Sequence, residues 1–427
     1  GEEWVNHVDE LVFWKGVFGI PARELWETKL AIKQKMLRHL KERFQEQVVR
    51  NKVGTLQMLR LEDMLKPEVL TIGFARRFAT YKRATLIFRD KARLKRILND
   101  PQRPIQLIFA GKAHPKDVPG QALIRTLHEL SLEDGFRGKV FFVENHEMGL
   151  ARDLVSGVDV WLNNPRRPQE ASGTSGQKVG MNAGINFSVL DGWWVEGYNG
   201  KNGFAFGDRE DYSELDELDS WDSDAIYDIL ENDLAPLYYD RGDDGLPNGW
   251  IDMMKHSLAT VSPMFNTHRM VKDYVNQMYI PALIQGQEFA KDHFALAKEF
   301  SSWREKMGSS WASVAAHIDD SIDLEKEIVL KFNDPIKLRA IVNLGDIHPS
   351  EIKVQVYMIQ EFSDPLREAK TEFVDMVKKK DLEDNTYLYE AIITPSNSGN
   401  YKYTVRVLPY HKRLINSSEM GLIRWLV

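Results

Sequence analysis

The sequence contains no cysteine. Disulfides and thiolate metal sites are therefore excluded, and the composition fits a reducing compartment, the cytoplasm being the expected location. An excess of positive charge is also missing: 56 Lys and Arg stand against 63 Asp and Glu, a formal net charge of −7. A broad nucleic-acid footprint would need the opposite balance, so no nucleic-acid partner is expected. No apolar run approaches the ~20 residues of a membrane span. The opening GEEWVNHVDELVFW has neither a start methionine nor the pattern of a signal peptide, and the chain reads as a fragment. What is present is enough for more than one core: 427 residues, 43% of them hydrophobic. At ~150 residues per domain this suggests two or three domains.

Residues 21–50 carry apolar positions at near-helical spacing behind Pro21, which predicts a helix. From 69 the pattern changes. Short apolar runs, VLTIGF (69–74), IQLIFAG (105–111), KVFFVE (139–144) and VDVWLN (158–163), alternate with helical stretches such as those from Arg83 and from Gln121. That alternation predicts βαβ units and a parallel sheet, whose ligands bind beyond the carboxyl ends of the strands. Residues after 207 read as acidic and helical. From about 315 to 427, period-two runs (EIKVQVYMIQ, NYKYTVRVL) with an Asn397-Ser398-Gly399-Asn400 turn predict a small antiparallel β domain, with KKKDLEDN (378–385) as a solvated loop.

Three stretches carry chemistry. The first is PQEASGTSGQKVGMNAGINFSVLDGWW, Pro168 to Trp194. Its small residues follow a predicted strand, with a helix expected from near Gly176. Bare backbone N–H groups there would suit an anion; an ordinary Gly- and Ser-rich turn is the alternative. Lys178 serves as a charge for a phosphate, as an amine that forms a Schiff base with a carbonyl cofactor, or as a solvated surface lysine. The second stretch, GFARRFATYKRA (73–84), places Arg76, Arg77, Lys82 and Arg83 just past a predicted strand, which points to an anion site. The third, LDGWWVEGYNGKNGFAFGD (190–208), suits structural packing better than a sugar.

Together these residues resemble the α-glucan phosphorylases, in their shorter prokaryotic form. The family signature Glu-Ala-Ser-Gly-Thr, three residues, Lys matches EASGTSGQK, Glu170 to Lys178. A family stretch of two basic residues, three others, then Tyr-Lys-Arg matches Arg76, Arg77, Tyr81, Lys82 and Arg83. IFAGKAHP (108–115) is similar to the segment between them, and the β tail resembles the C-terminal extension of the prokaryotic enzymes. The resemblance implies an α/β fold: the Rossmann-like, doubly wound C-terminal domain of a GT-B glycosyltransferase over 1–312, then a small antiparallel β domain over 313–427, without the N-terminal GT-B domain.

It further implies pyridoxal 5′-phosphate on Lys178 and retaining phosphorolysis of α-1,4-glucan or maltodextrin by inorganic phosphate to glucose 1-phosphate. Carried over by position, Arg77 and Lys82 hold the substrate phosphate. Arg76, Gly173, Thr174, Ser175, Gly176 and His146 surround the cofactor. Glu170 with Ala171, Ser172 and Gly173 reads the glucose hydroxyls. Two departures stand out: Arg76 replaces a lysine, and Glu144-Asn145-His146-Glu147 replaces an animal-type Glu-Asn-Tyr-Arg. The isolated chain is expected to be weak or inactive without the N-terminal domain, and a homo-oligomer is possible. A nucleotide-sugar glucan synthase of the same fold class and a non-enzymatic glucan-binding module are the competing readings.

Overall fold

A computed structural model describes residues 2–51, 64–207, 214–318, 335–361, 370–394 and 400–426. The chain forms two compact units, Gly1–Tyr274 and Val275–Val427.

The first unit is built on a six-stranded parallel sheet. Its strands are β1 (Leu70–Ala75), β2 (Ile105–Ala110), β3 (Val140–Val143), β4 (Val160–Asn163), β5 (Ile185–Val189) and β6 (Gly203–Phe206), in the order β3-β2-β1-β4-β5-β6. β1 to β5 are buried along their whole length, which is why the sequence shows continuous apolar runs rather than alternation. The connecting helices are α1 (Ala22–Arg50), α2 (Lys91–Leu98), α3 (Val118–Leu132), α4 (Met148–Gly157) and α5 (Thr174–Gly180). Asp90, Asp117 and Glu147 cap α2, α3 and α4 by accepting backbone N–H groups of their first turns. Further helices follow, α6 (Leu215–Ile229), α7 (Asn248–Met264) and α8 (Thr267–Tyr274).

Three expectations change here. The helix expected from Arg83 begins only at Lys91; Thr80–Lys82 and Leu86–Phe88 are single 3-10 turns, and Arg83 between them is left-handed, φ 50°. Its side chain explains the interruption. The guanidinium is buried and donates to Asp222 at 2.6 Å, to Asp219 at 2.9 Å and to the carbonyls of Asn164 and Pro165. Arg83 is thus a structural tie and not part of an anion site. The helix expected from Gln121 starts at Val118, and the one expected near Gly176 starts at Thr174.

α1 carries two buried lysines. Lys33 is fully buried; its ammonium meets Asp159 Oδ2 and donates to the Val69 carbonyl at 2.7 Å. The same Asp159 oxygen accepts the Thr71 N–H at 2.8 Å, so one carboxylate ties α1, β1 and β4 together. Lys29 donates to the carbonyls of Ser156 and Asn182 at 2.7 and 3.0 Å. Burial pulls its ammonium down to about 8, opposed by the charge of Asp159.

The second unit opens with α9 (Ile280–Ser310) and holds two four-stranded antiparallel sheets. One has the order β10-β9-β13-β14, from Lys370–Asp375, Ile352–Glu361, Asn400–Pro409 and Arg424–Trp425. The other has the order β11-β12-β8-β7, from Val377–Asp381, Thr386–Ile393, Ile336–Asn343 and Ala315–Ile318. Alternate residues, among them Val342 and Val356 and, from the remaining strands, Ala391 and Val407, enter one shared core. The segment 378–385, expected as a loop, instead forms the exposed edge strand β11 and a turn; its lysines face water, so their charge hid the strand. The expected turn at 397–400 lies outside the described residues except for Asn400. Among the described residues, no helix is long and apolar enough to cross a membrane.

Two stability measurements follow. Lys33→Ala leaves Asp159 buried without its cation and is expected to cost about 3–5 kcal/mol in denaturant unfolding. For Lys29 the sign runs the other way with pH. Its amine loses its proton in the folded chain near 8 while the unfolded chain keeps it to its ordinary value of 10.5, so stability rises across that window. Relative to Lys29→Met, the parent chain is expected to gain on the order of 3 kcal/mol between those two pH values.

Candidate functional site

In the strand order, β1 and β4 are neighbours whose onward connections leave to opposite sides, β1 toward β2 and β4 toward β5. Such a reversal leaves a crevice beyond the carboxyl ends of the two strands. Arg76 follows β1 directly and Asn163 ends β4, so parallel pairing of Ile72 with Val160 and Gly73 with Trp161 brings them to the same rim. Arg76 donates through Nη1 to Asn163 Oδ1 and through Nη2 to Glu170 Oε2 at 2.7 Å. Lys82 Nζ reaches the same carboxylate, at 3.1 and 3.4 Å. The side chains of Arg76, Lys82 and Glu170 are only 10%, 9% and 11% exposed, so these charges meet in a nearly dry setting. Burial lowers the Arg76 pKa, and the neighbouring Glu170 charge opposes that shift. Two cations on one anion leave the cluster net positive. Arg77, exposed and without an ion-pair partner among the described residues, adds a further positive charge at the same rim.

The loop that presents Glu170 is shaped by the turn after β5. The Glu170 N–H donates to Asp191 Oδ2 at 3.1 Å, and the Trp193 N–H donates to the Ser172 carbonyl at 3.1 Å. Gly192 sits between them at φ +55°, where a Cβ would come within 2.5 Å of the Ser172 oxygen. Only glycine fits this contact. Gly173 is also left-handed, φ +83°; a Cβ there would make ordinary contacts with Asn163, Trp193 and Glu170 at 3.7–3.8 Å, so it is the backbone conformation that favours glycine. Trp193 and Trp194 are buried, which gives 190–207 the packing role expected of it.

α5 is only seven residues long, so the field at its start is weak and a bound anion would depend on Arg76, Arg77 and Lys82. Thr174 and Lys178, four residues apart, share one exposed side of it. The Lys178 amine has no hydrogen-bond partner among the described residues, while Ser175 is half-buried and Gly176 packs against Asn186. His146 stands beyond β3. Its Nε2 is buried without a hydrogen bond among the described residues, and burial, helped by the charges of Lys112 and Arg43, lowers its pKa.

The structure thus brings Arg76, Lys82 and Glu170 together, sets Ala171, Ser172 and Gly173 beside them in the chain, and leaves Arg77 and Lys178 exposed. Sequence reasoning missed Asn163 and Asp191. Each ends or follows a buried strand at its carboxyl end, a position that could have singled them out.

The match to known proteins covers both units. Residues 20–234 match the family model described as carbohydrate phosphorylase, and residues 311–427 the one described as glycogen phosphorylase C-terminal domain. A maltodextrin phosphorylase of Thermococcus litoralis is 41% identical over 100% of this chain and 49% of its own length. A glycogen phosphorylase of Aquifex aeolicus is 46% identical over 65% of the chain and 40% of its own length. A glycogen phosphorylase of Mycobacterium bovis is 35% identical over 97% and 48%. The chain therefore spans about half the length of the curated relatives it matches.

An anion held by this cluster would stabilise the folded chain. Inorganic phosphate at ~100 times its dissociation constant is expected to add about 2.7 kcal/mol. The double variant Arg77→Ala, Lys82→Ala should lose that gain in a thermal-shift titration, and an unchanged gain would place the anion elsewhere.

Proposed function

The chain belongs to the carbohydrate phosphorylase family, and on that premise we propose that it is the cofactor-bearing C-terminal half of an α-glucan phosphorylase. Its first unit would be the Rossmann-like domain of a GT-B enzyme, a reading supported by the strand order and the crevice between β1 and β4. The reaction would transfer a terminal glucosyl unit of an α-1,4-glucan to inorganic phosphate, giving α-glucose 1-phosphate and a glucan one unit shorter. The observation that carries the proposal is the meeting of Arg76, Lys82 and Glu170 at that crevice, with a left-handed glycine and an exposed lysine close by in sequence.

These residue types fit pyridoxal 5′-phosphate. Lys178 offers an accessible amine for the aldehyde, Thr174 a hydroxyl on the same side of α5, and Gly173 a backbone without a side chain of its own. When bound, the group supplies a phosphate that shares a proton with inorganic phosphate. The remaining work belongs to the chain. Arg77 and Lys82 hold the substrate phosphate and offset the repulsion of two phosphates brought side by side. Arg76, turned by Asn163, serves the cofactor side. Glu170 binds glucose hydroxyls, and sugar binding must compete with its two cations for that carboxylate. The relatives' other half would complete the sugar pocket, so this chain alone would turn over poorly.

The test is release of glucose 1-phosphate from maltodextrin and phosphate by the full-length protein. Lys82→Ala and Arg77→Ala are expected to lower kcat/KM roughly 100- to 1,000-fold each. Turnover of UDP- or ADP-glucose, with no release of glucose 1-phosphate, would instead support the synthase reading.

A further inference from the structure

The sheet β10-β9-β13-β14 of the second unit has one face in the core and one face open. Val354, Val356, Val405 and Val407 point inward. On the other side the register sets Phe373 opposite Tyr357, and Arg406 opposite both Gln355 and Trp425. Three rings surround one guanidinium: the Arg406 carbon lies 4.9 Å from the Tyr357 ring centre, 5.5 Å from that of Phe373 and 5.6 Å from that of Trp425. Tyr357 and Trp425 meet edge to face, 5.2 Å apart and at 81°. The rings are thus locked, yet Phe373 remains 60% and Trp425 39% exposed.

The polar groups beside them are locked too. Arg406 Nε donates to Gln355 Oε1 at 3.0 Å, Gln355 Nε2 donates to Asp375 Oδ1 at 2.7 Å, and Lys353 lies 3.7 Å from Asp375. Asp375 has Lys353 as its opposite partner, whereas the Arg406 guanidinium is held by the neutral Gln355 amide and the ring faces. The patch offers ring surface, with hydrogen-bonding groups at its rim whose rotamers are already fixed.

We propose that this face binds α-1,4-glucan chains, as a second carbohydrate site apart from the crevice of the first unit. A pyranose pairs an apolar C–H face with a rim of neutral hydroxyls. That matches exposed ring surface bordered by amide and carboxylate groups better than other ligands do. A protein interface of ordinary size needs about 800 Å² per partner, a larger area than three partly exposed rings present. An anionic polymer would meet Asp375. The identity of the glucan rests on the proposed phosphorylase reading. A second site would tether a long polymer and raise the effective concentration of its chain ends at the crevice.

The test is affinity electrophoresis of this chain in gels with and without glycogen, beside analytical ultracentrifugation without glycogen. The parent chain is expected to be retarded by glycogen. Phe373→Ala and Trp425→Ala should each weaken binding roughly fivefold to tenfold. Trp221→Ala, which removes a 60% exposed ring from α6 of the first unit, should be retarded like the parent. Phe373→Ala removes a mostly exposed ring and should keep the parent's melting temperature, so its loss of retardation is a loss of contact even where Trp425→Ala disturbs the short β14. Retardation that survives both ring variants, retardation lost equally in Trp221→Ala, no retardation at all, or self-association abolished by Phe373→Ala would overturn the proposal. In the full-length protein the same variant should raise KM for glycogen while leaving kcat on short maltodextrins unchanged. Glycogen retardation of this chain, with no release of glucose 1-phosphate by the full-length protein, would sink the phosphorylase reading and leave this site standing.

Discussion

The Lys33–Asp159 ion pair, with side chains 0% and 2% exposed, fixes the geometry on which the candidate site depends. Asp159 precedes β4 and also accepts the Thr71 N–H of β1, so the pair holds these two strands in register at their starting ends. Arg76 and Asn163 leave the same two strands at the far ends. A slip between β1 and β4 would part them. Burying two charges costs several kcal/mol per ion unless they pair closely, and here backbone groups complete the shell around both. The resulting anchor is structural, placed under the sheet, away from the chemistry.

At the far ends the electrostatics are arranged differently. Glu170 is shared by Arg76 and Lys82, so neither cation is idle and the carboxylate is not free. An anion or a polar ligand entering the crevice would have to exchange partners with groups already paired, so binding competes with the existing ion pairs. The turn Asp191–Trp193 matters for the same reason. It holds the backbone on which Glu170 stands by two hydrogen bonds and one glycine contact.

Much of this was legible in the sequence. The buried strands announced themselves because both faces are covered and the apolar runs are unbroken. Arg76, Lys82 and Glu170 were singled out by motif spacing, and the structure brings them together. Other parts were hidden for physical reasons. Arg83 reads like its basic neighbours, yet Asp219 and Asp222, more than 130 residues on, make it a structural tie. β11 is an edge strand whose exposed lysines erase the alternation that marks β9 and β13. Asn163 and Asp191 act through backbone and guanidinium contacts that only strand order creates. The three rings around Arg406 come from separate strands, and no spacing along the chain connects them.

The proposed function puts a phosphate-bearing aldehyde on the amine of Lys178. Its most direct measurement is borohydride reduction of the purified full-length protein followed by peptide mapping. One pyridoxyl adduct, on Lys178, is expected. An adduct on another lysine, or none after incubation with pyridoxal 5′-phosphate, would contradict it.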